Sequence, residues 1–239
     1  MLKRFLSCND QGRAQRVIQK LASHDPQSWV LTGGLAVEIH HIKRGAEPVP
    51  RPLNDIDFLA ASFDRLPTDL HKTFVFRHVH PFDPPGKTML QAVDTDEAVR
   101  IDIFNDGGVA ATRAEAMSLA GWETKIISLE DILARMARLT LDIAIGETVP
   151  GKHARDFFRL SKLANLECME EVWPNHRREN QPATFREALE LLRGLVPYRQ
   201  NLLVTPAYSA AFETCKRCRP TANFQLADPK RLYSILGYY

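Results

Sequence analysis

The chain has 239 residues, 44% hydrophobic and 25% charged, with a formal net charge of +2. That make-up gives apolar material for a real core, in one large domain or two modest ones, and excludes a disordered chain and a strongly basic body. No apolar run approaches the ~18 residues that a bilayer span needs. The opening MLKRFLSCND has no long apolar stretch behind Lys3 and Arg4, so no membrane segment and no secretory signal is expected, and the expected location is cytoplasmic.

Ala14, Val17, Ile18, Leu21 and Ala22 recur at helical intervals and predict a helix over 11–24, capped by Asp10, stopped by Pro26 and packed on the sheet that follows. The stretch WVLTGGLAVEIHHIKRGAEPVPRPLNDIDF then reads as a buried strand from Trp29 to Thr32, a Gly33-Gly34 turn and a helix from Leu35 to Lys43. His40 and His41 read as surface or packing residues of that helix, and Lys43 and Arg44 as compensation for its dipole. A loop with three of the chain's 15 prolines leads to a second strand bearing Asp55 and Asp57. ASFDRLPTDLHK predicts a short helix, and TFVFRHVH, KTMLQAVD and AVRIDIFN predict three meandering strands divided by HPFDPPG and TDE. Asp94, Asp96 and Glu97 read as a solvated hairpin turn, and Trp29, Phe58 and Phe104 as core.

The pattern changes near Gly121. ISLEDILARMARLTLDIAIG predicts a helix with Ser128 as N-cap and Asp131 in the capping-box position. GKHARDFFRLSKLANLECMEEVW predicts a second, ATFREALELLRGLV a third, and TPAYSAAFETCK and DPKRLYSILG predict shorter ones. The expectation is an α/β (α+β) chain: a core over 1–124 with a mixed sheet and flanking helices, then an all-helical region over 125–239. Of the four cysteines only Cys215 and Cys218 form a C-x-x-C, two ligands where zinc takes about four, so no metal is expected there. The tail sets Lys216, Arg217, Arg219, Lys230 and Arg231 against Glu213 and Asp228, with Tyr233, Tyr238 and Tyr239 nearby, which reads as a solvated helix face before it reads as an RNA contact.

Residues two apart on a strand share a face, so Asp55 and Asp57 point the same way while Ile56 and Phe58 enter the core. Two neighbouring carboxylates repel and resist desolvation unless a cation joins them. Asp102, between Ile101 and Ile103, is a third mid-strand acid, to be explained by a shared cation or by pairing with Arg100 or Arg51. A glycine turn opening a helix is the complementary device, since it bares backbone N–H groups and the positive dipole end to a phosphate.

In this order, Gly33-Gly34, Asp55-Ile56-Asp57 and Asp102 resemble the polymerase-β-like nucleotidyltransferase superfamily. LTGGLAVEIHH…RPLNDIDF looks most like AbiEii-type toxin nucleotidyltransferases and antibiotic nucleotidyltransferases, and IISLEDILARMARL…GKHARDFFRL resembles the AbiEii-type helices. The resemblance covers 25–165. It implies transfer of a nucleoside monophosphate from an NTP to an acceptor hydroxyl with two Mg²⁺ ions, one on Asp55 and Asp57 and one on Asp57 and Asp102, with Asp102 also taking the hydroxyl proton. Thr32, Gly33 and Gly34 would face the triphosphate, and Arg51 a phosphate or the acceptor. Where AbiEii-type proteins have a lysine this chain has Met136, flanked by Arg135 and Arg138, so an arginine or Lys152 would neutralise the phosphates, and Asp156 would orient the basic residue. The implied acceptor is tRNA or a protein, with a possible antitoxin partner. A small antibiotic-like acceptor, or a non-catalytic binding module, are the alternatives.

Overall fold

The computed structural model describes residues 1–26, 29–62, 65–82, 87–106, 108–144 and 152–195. The chain divides into two compact units: Met1–Ile42 with Glu47–Ile127, and Lys43–Ala46 with the described residues from Ser128 on. Among the described residues no helix is long and apolar enough to cross a membrane.

The first unit is a mixed α/β layer. Its seven strands are β1 (Val30–Thr32), β2 (Asp55–Ala60), β3 (Val75–Phe82), β4 (Lys87–Asp94), β5 (Val99–Asn105), β6 (Glu115–Leu119) and β7 (Trp122–Ile126). They form one sheet in the order β3-β4-β5-β2-β1-β7-β6. The meander β3-β4-β5 and the hairpin β6-β7 are antiparallel, as is β1 with β2, whereas β2–β5 and β1–β7 are parallel. Parallel neighbours need crossovers, and β2 pairs with residues that lie 45 positions further on, Asp55 with Arg100 and Asp57 with Asp102. The aromatic core stacks Phe58 between Trp29 and Trp122, at ring-centroid distances of 5.3 and 5.7 Å. Phe104 is only half-buried, because the burial of β5 fades at its C-terminal end.

Helix α1 (Cys8–Ala22) buries Ala14, Val17, Ile18 and Leu21 and lies against β5 and β7. Its cap is Ser7, whose Oγ accepts from the Asp10 N–H at 3.1 Å, and Asp10 sits in the first turn instead. Down its polar side Arg16 Nε meets Glu97 Oε1 at 2.5 Å, while Lys20 Nζ meets Asp94 and Asp96 at 2.9 and 2.8 Å. The acidic turn is therefore clamped to α1, with Asp94 buried, where the sequence led us to expect a solvated hairpin. Helix α2 (Gly33–Lys43) is buried on almost every side from Leu35 to His41, as befits the central helix of a layer. His40 Nε2 bonds the Ile127 carbonyl at 2.7 Å and His41 Nδ1 the Val37 carbonyl at 2.8 Å, so both are packing residues. Glu38, fully buried, accepts from Val49 N–H at 2.8 Å and Arg51 Nε at 2.5 Å and so pins the proline loop to α2.

Among its described residues ASFDRLPTDLHK gives 3-10 structure at Arg65 and over Leu70–Lys72, and no α-helix. Pro67 bars the residue before it from the helical region, which limits any longer helix. The hairpin β6–β7 has no counterpart in the sequence reading.

In the second unit α3 (Leu129–Ala144) packs against α4 (Lys152–Leu160), α5 (Met169–Val172) and α6 (Phe185–Leu195), and no strand occurs among its described residues. The helix expected across 151–173 is two, because Asn165 Oδ1 accepts from Glu167 N–H at 3.0 Å and turns the chain between them. Ser128 Oγ accepts from the Asp131 N–H at 3.0 Å and donates to Asp131 Oδ2 at 2.7 Å. The other oxygen of the buried Asp131 carboxylate accepts a hydrogen bond from His176 Nε2–H at 2.6 Å. The expected helices TPAYSAAFETCK and DPKRLYSILG, Cys215 with Cys218, and the basic tail lie outside the described residues.

Burial holds the His176 imidazole below its ordinary value of 6.5, with Asp131 opposing that shift and Arg135 and Arg138 reinforcing it. The folded state thus keeps His176 neutral at a pH where the unfolded chain already binds its proton. Its contribution to stability is present above 6.5 and is lost as pH falls below that value. Denaturant unfolding between pH 7.5 and 5 is expected to show His176→Gln losing less stability on acidification than the parent chain. An identical slope for the two would contradict a neutral buried His176.

Candidate active site

Two rungs of the parallel β2–β5 ladder build the site. Asp57 lies opposite Asp102 on one rung and Asp55 opposite Arg100 on the other. The rungs are two residues apart, so all four side chains share a face of the sheet. Thr32 of β1 extends the first rung beyond Asp57, and Gln91 of β4 extends it beyond Asp102. One carboxylate oxygen from each of Asp55, Asp57 and Asp102 lies within 4.8 Å of the other two.

Like charges directly opposite each other destabilise a strand pair, so the Asp57–Asp102 rung is a standing cost. Burial worsens it at Asp102, which is 6% exposed. Its carboxyl is pushed up to about 6, first by burial and also by Asp55, against the pull of Arg100 and Gln91. Arg100 supplies what compensation there is: its Nε donates to Asp102 Oδ2 at 3.1 Å and its Nη2 to Asp55 Oδ2. Gln91 Nε2 donates to Asp102 Oδ1 at 3.1 Å.

Across β2, Asp57 meets the mouth of α2. Gly33 has φ +65, a left-handed conformation, and a Cβ there would stand 1.9 Å from Asp57 Oδ2. Only glycine accommodates both the backbone and the carboxylate. Asp57 therefore lies against the first residue of α2, where the helix dipole is positive. A Cβ on Gly34 would instead meet Arg51 Nη1 at 3.4 Å, so the Glu38-bound guanidinium covers the second glycine. Arg51 also lines an open hollow of about 460 Å³ with Arg4, Phe5 and Pro50.

The sequence-derived residues thus divide. Asp55, Asp57, Asp102, Thr32, Gly33, Gly34 and Arg51 gather in the first unit, with Thr32 itself buried in β1. Lys152 is the first residue of α4, in the second unit. Met136, at the position the resemblance gives to a lysine, is buried with its Sδ 3.3 Å from His153 Nδ1, and Asp156 pairs with Arg159 at 3.6 Å. Sequence reading offered Arg100 as one partner of Asp102 but not its bridge to Asp55, which follows from the β2–β5 register. Gln91 and Glu38 it missed, for each is defined by its partner across the fold.

Three carboxylates with no cysteine or imidazole among them are hard oxygen donors, the set that suits Mg²⁺ or Mn²⁺. A bound divalent ion would also relieve the repulsion that Arg100 only partly offsets.

Two substitutions test this geometry. Gly33→Ala is expected to cost roughly 2–5 kcal/mol in chemical unfolding, from left-handed strain and the overlap with Asp57. Asp102→Asn removes a carboxylate that is costly when ionised, so in metal-free buffer at pH 7.5 it is expected to gain roughly 1–3 kcal/mol. A loss of stability in Asp102→Asn would contradict the strained rung.

No family model matches the chain, and no curated protein matches it. Solved structures do. An antigenic nucleotidyltransferase-like protein from Paracoccidioides brasiliensis is 19% identical, with 83% of this chain and 94% of that one covered and a TM-score of 0.44. The antibiotic-resistance factor ANT(2'')-Ia is 16% identical, with 79% and 99% covered and a TM-score of 0.46. A Helicobacter pylori protein is 13% identical, with 83% and 97% covered and a TM-score of 0.39. Likeness at this level carries no inference about activity, which rests on the carboxylates themselves.

Proposed function

We propose that the chain is a divalent-metal-dependent nucleotidyltransferase that moves a nucleoside monophosphate from an NTP to an acceptor hydroxyl. The observation that carries this reading is the convergence of Asp55, Asp57 and Asp102 within 4.8 Å, against a glycine at the mouth of a buried helix. Asp55, Asp57 and Asp102 would hold Mg²⁺, which when bound neutralises phosphate charge and acidifies the acceptor hydroxyl. Asp102, the most buried of the three, is the group to receive the hydroxyl proton. Gly33 and Gly34 let backbone N–H groups approach a phosphate without a side chain intervening. Arg51, held over Gly34 by Glu38, would fix that phosphate's orientation. In keeping with the AbiEii-type resemblance, the acceptor would be tRNA or a protein, the action toxin-like, and the partner an antitoxin.

A second reading has its own support. Arg100 already bonds Asp55 and Asp102, so the cluster has one internal counter-charge, as a non-catalytic binding module would need. Labelled NTPs with Mg²⁺ and, separately, total RNA, protein extract and aminoglycosides separate the two. Transfer to RNA or protein, reduced to background in a folded Asp57→Ala variant, is the expected outcome. Label only on the aminoglycoside would move the chain to the small-molecule class. No transfer to any acceptor would leave the binding module.

A further inference from the structure

We propose that Arg100 is the resident cation of the carboxylate cluster, and that it and a divalent ion hold the same carboxylates in alternation. This rests on the metal-site reading above and adds a competitor built into the chain. The guanidinium reaches two of the three acids, Asp55 through Nη2 and Asp102 through Nε. Asp102 keeps no oxygen clear of side-chain donors, since Gln91 takes Oδ1 and Arg100 takes Oδ2. A divalent ion ligated by Asp102 at about 2.1 Å would stand within a few ångströms of the guanidinium, two like charges in a half-buried site. The two cations therefore compete for the same carboxylates.

Arg100 is the one able to withdraw. Its side chain is 24% exposed, against 8% for that of Asp102, so it can swing outward on its flexible stem while the strand stays in register. It does not lose its charge at any physiological pH, so neutralisation cannot release it and only a competing cation can. Two opposing gains follow from one residue. In the metal-free protein Arg100 spares the fold a cluster of uncompensated carboxylates. In the metal-loaded protein it becomes a cation beside the site, placed to pair with an anion carried in with the ion.

Mn²⁺ titrations followed by electron paramagnetic resonance test this on the full chain, comparing the parent, Arg100→Met, Arg100→Lys and Asp57→Asn. Arg100→Met keeps an apolar stem and removes the charge. It is expected to bind Mn²⁺ about tenfold more tightly than the parent or better, with Arg100→Lys between them and Asp57→Asn much weaker. Thermal unfolding supplies the second readout. Without metal Arg100→Met is expected to melt below the parent, and Mn²⁺ to raise its Tm by more than it raises the parent's. Equal or weaker Mn²⁺ affinity in Arg100→Met would overturn the competition and leave the metal site standing. Absence of Mn²⁺ binding in every variant would overturn both.

Discussion

Two carboxylates on one rung of a parallel strand pair are the constraint around which the first unit is arranged. Asp57 and Asp102 face each other on β2 and β5, and Asp55 stands one pleat away. Strand pairing sets that separation, so the side chains cannot retreat without losing the ladder. Everything next to the rung responds to it. Arg100 bridges two of the acids, Gln91 donates to the most buried one, and Gly33 gives up a side chain so that Asp57 fits. An apolar pair at the same rung would pack in the sheet without these compensations. Three acids to one bridging arginine is the feature that the proposed cation site rests on.

The second unit buries its acids singly. The Asp131 carboxylate receives Ser128 Oγ–H on one oxygen and His176 Nε2–H on the other. Asp142 receives Gln181 Nε2 at 2.9 Å and Arg178 Nη2 at 2.9 Å. Polar networks satisfied in this manner fix a unique packing and call for no ligand. Burial alone therefore does not mark a functional acid. Asp131 is more buried than Asp57, yet it is matched by Ser128 and His176, whereas Asp57 and Asp102 are two carboxylates on one rung.

Much of the site was legible because it is written in local periodicity. The alternation in NDIDFLA and AVRIDIFN put the acids on one face, and the glycine pair before an apolar helix marked the mouth. Trp29 and Phe58 read as core for the same reason. What was not legible depends on partners far along the chain. The hairpin β6–β7 was missed because its strands are five residues each with mostly exposed or half-exposed positions, a weak alternation beside stronger helical signals. The turn at Asp94–Glu97 read as solvated because nothing local announces that Arg16 and Lys20 will lie over it. Ser7 displaced Asp10 as the cap of α1, since either residue type serves and only the fold decides where the helix starts.

Arg51 illustrates how far such reading can go. Its basic character beside the second strand suggested a phosphate contact, and its position over Gly34 is compatible with that. The sequence could not reveal that Glu38, 13 residues earlier in the chain, is the buried acid that holds the guanidinium in place. A cation fixed by a buried carboxylate is pre-oriented, so it gives up little freedom when a second anion arrives. Arg100, bound to the cluster itself, is the contrasting case, because its partners are the very groups a divalent ion would claim. One arginine is stationed by an acid outside the rung and the other by acids within it. That difference in partner, rather than any difference in residue type, makes Arg51 a fixed feature of the glycine turn and Arg100 an exchangeable one.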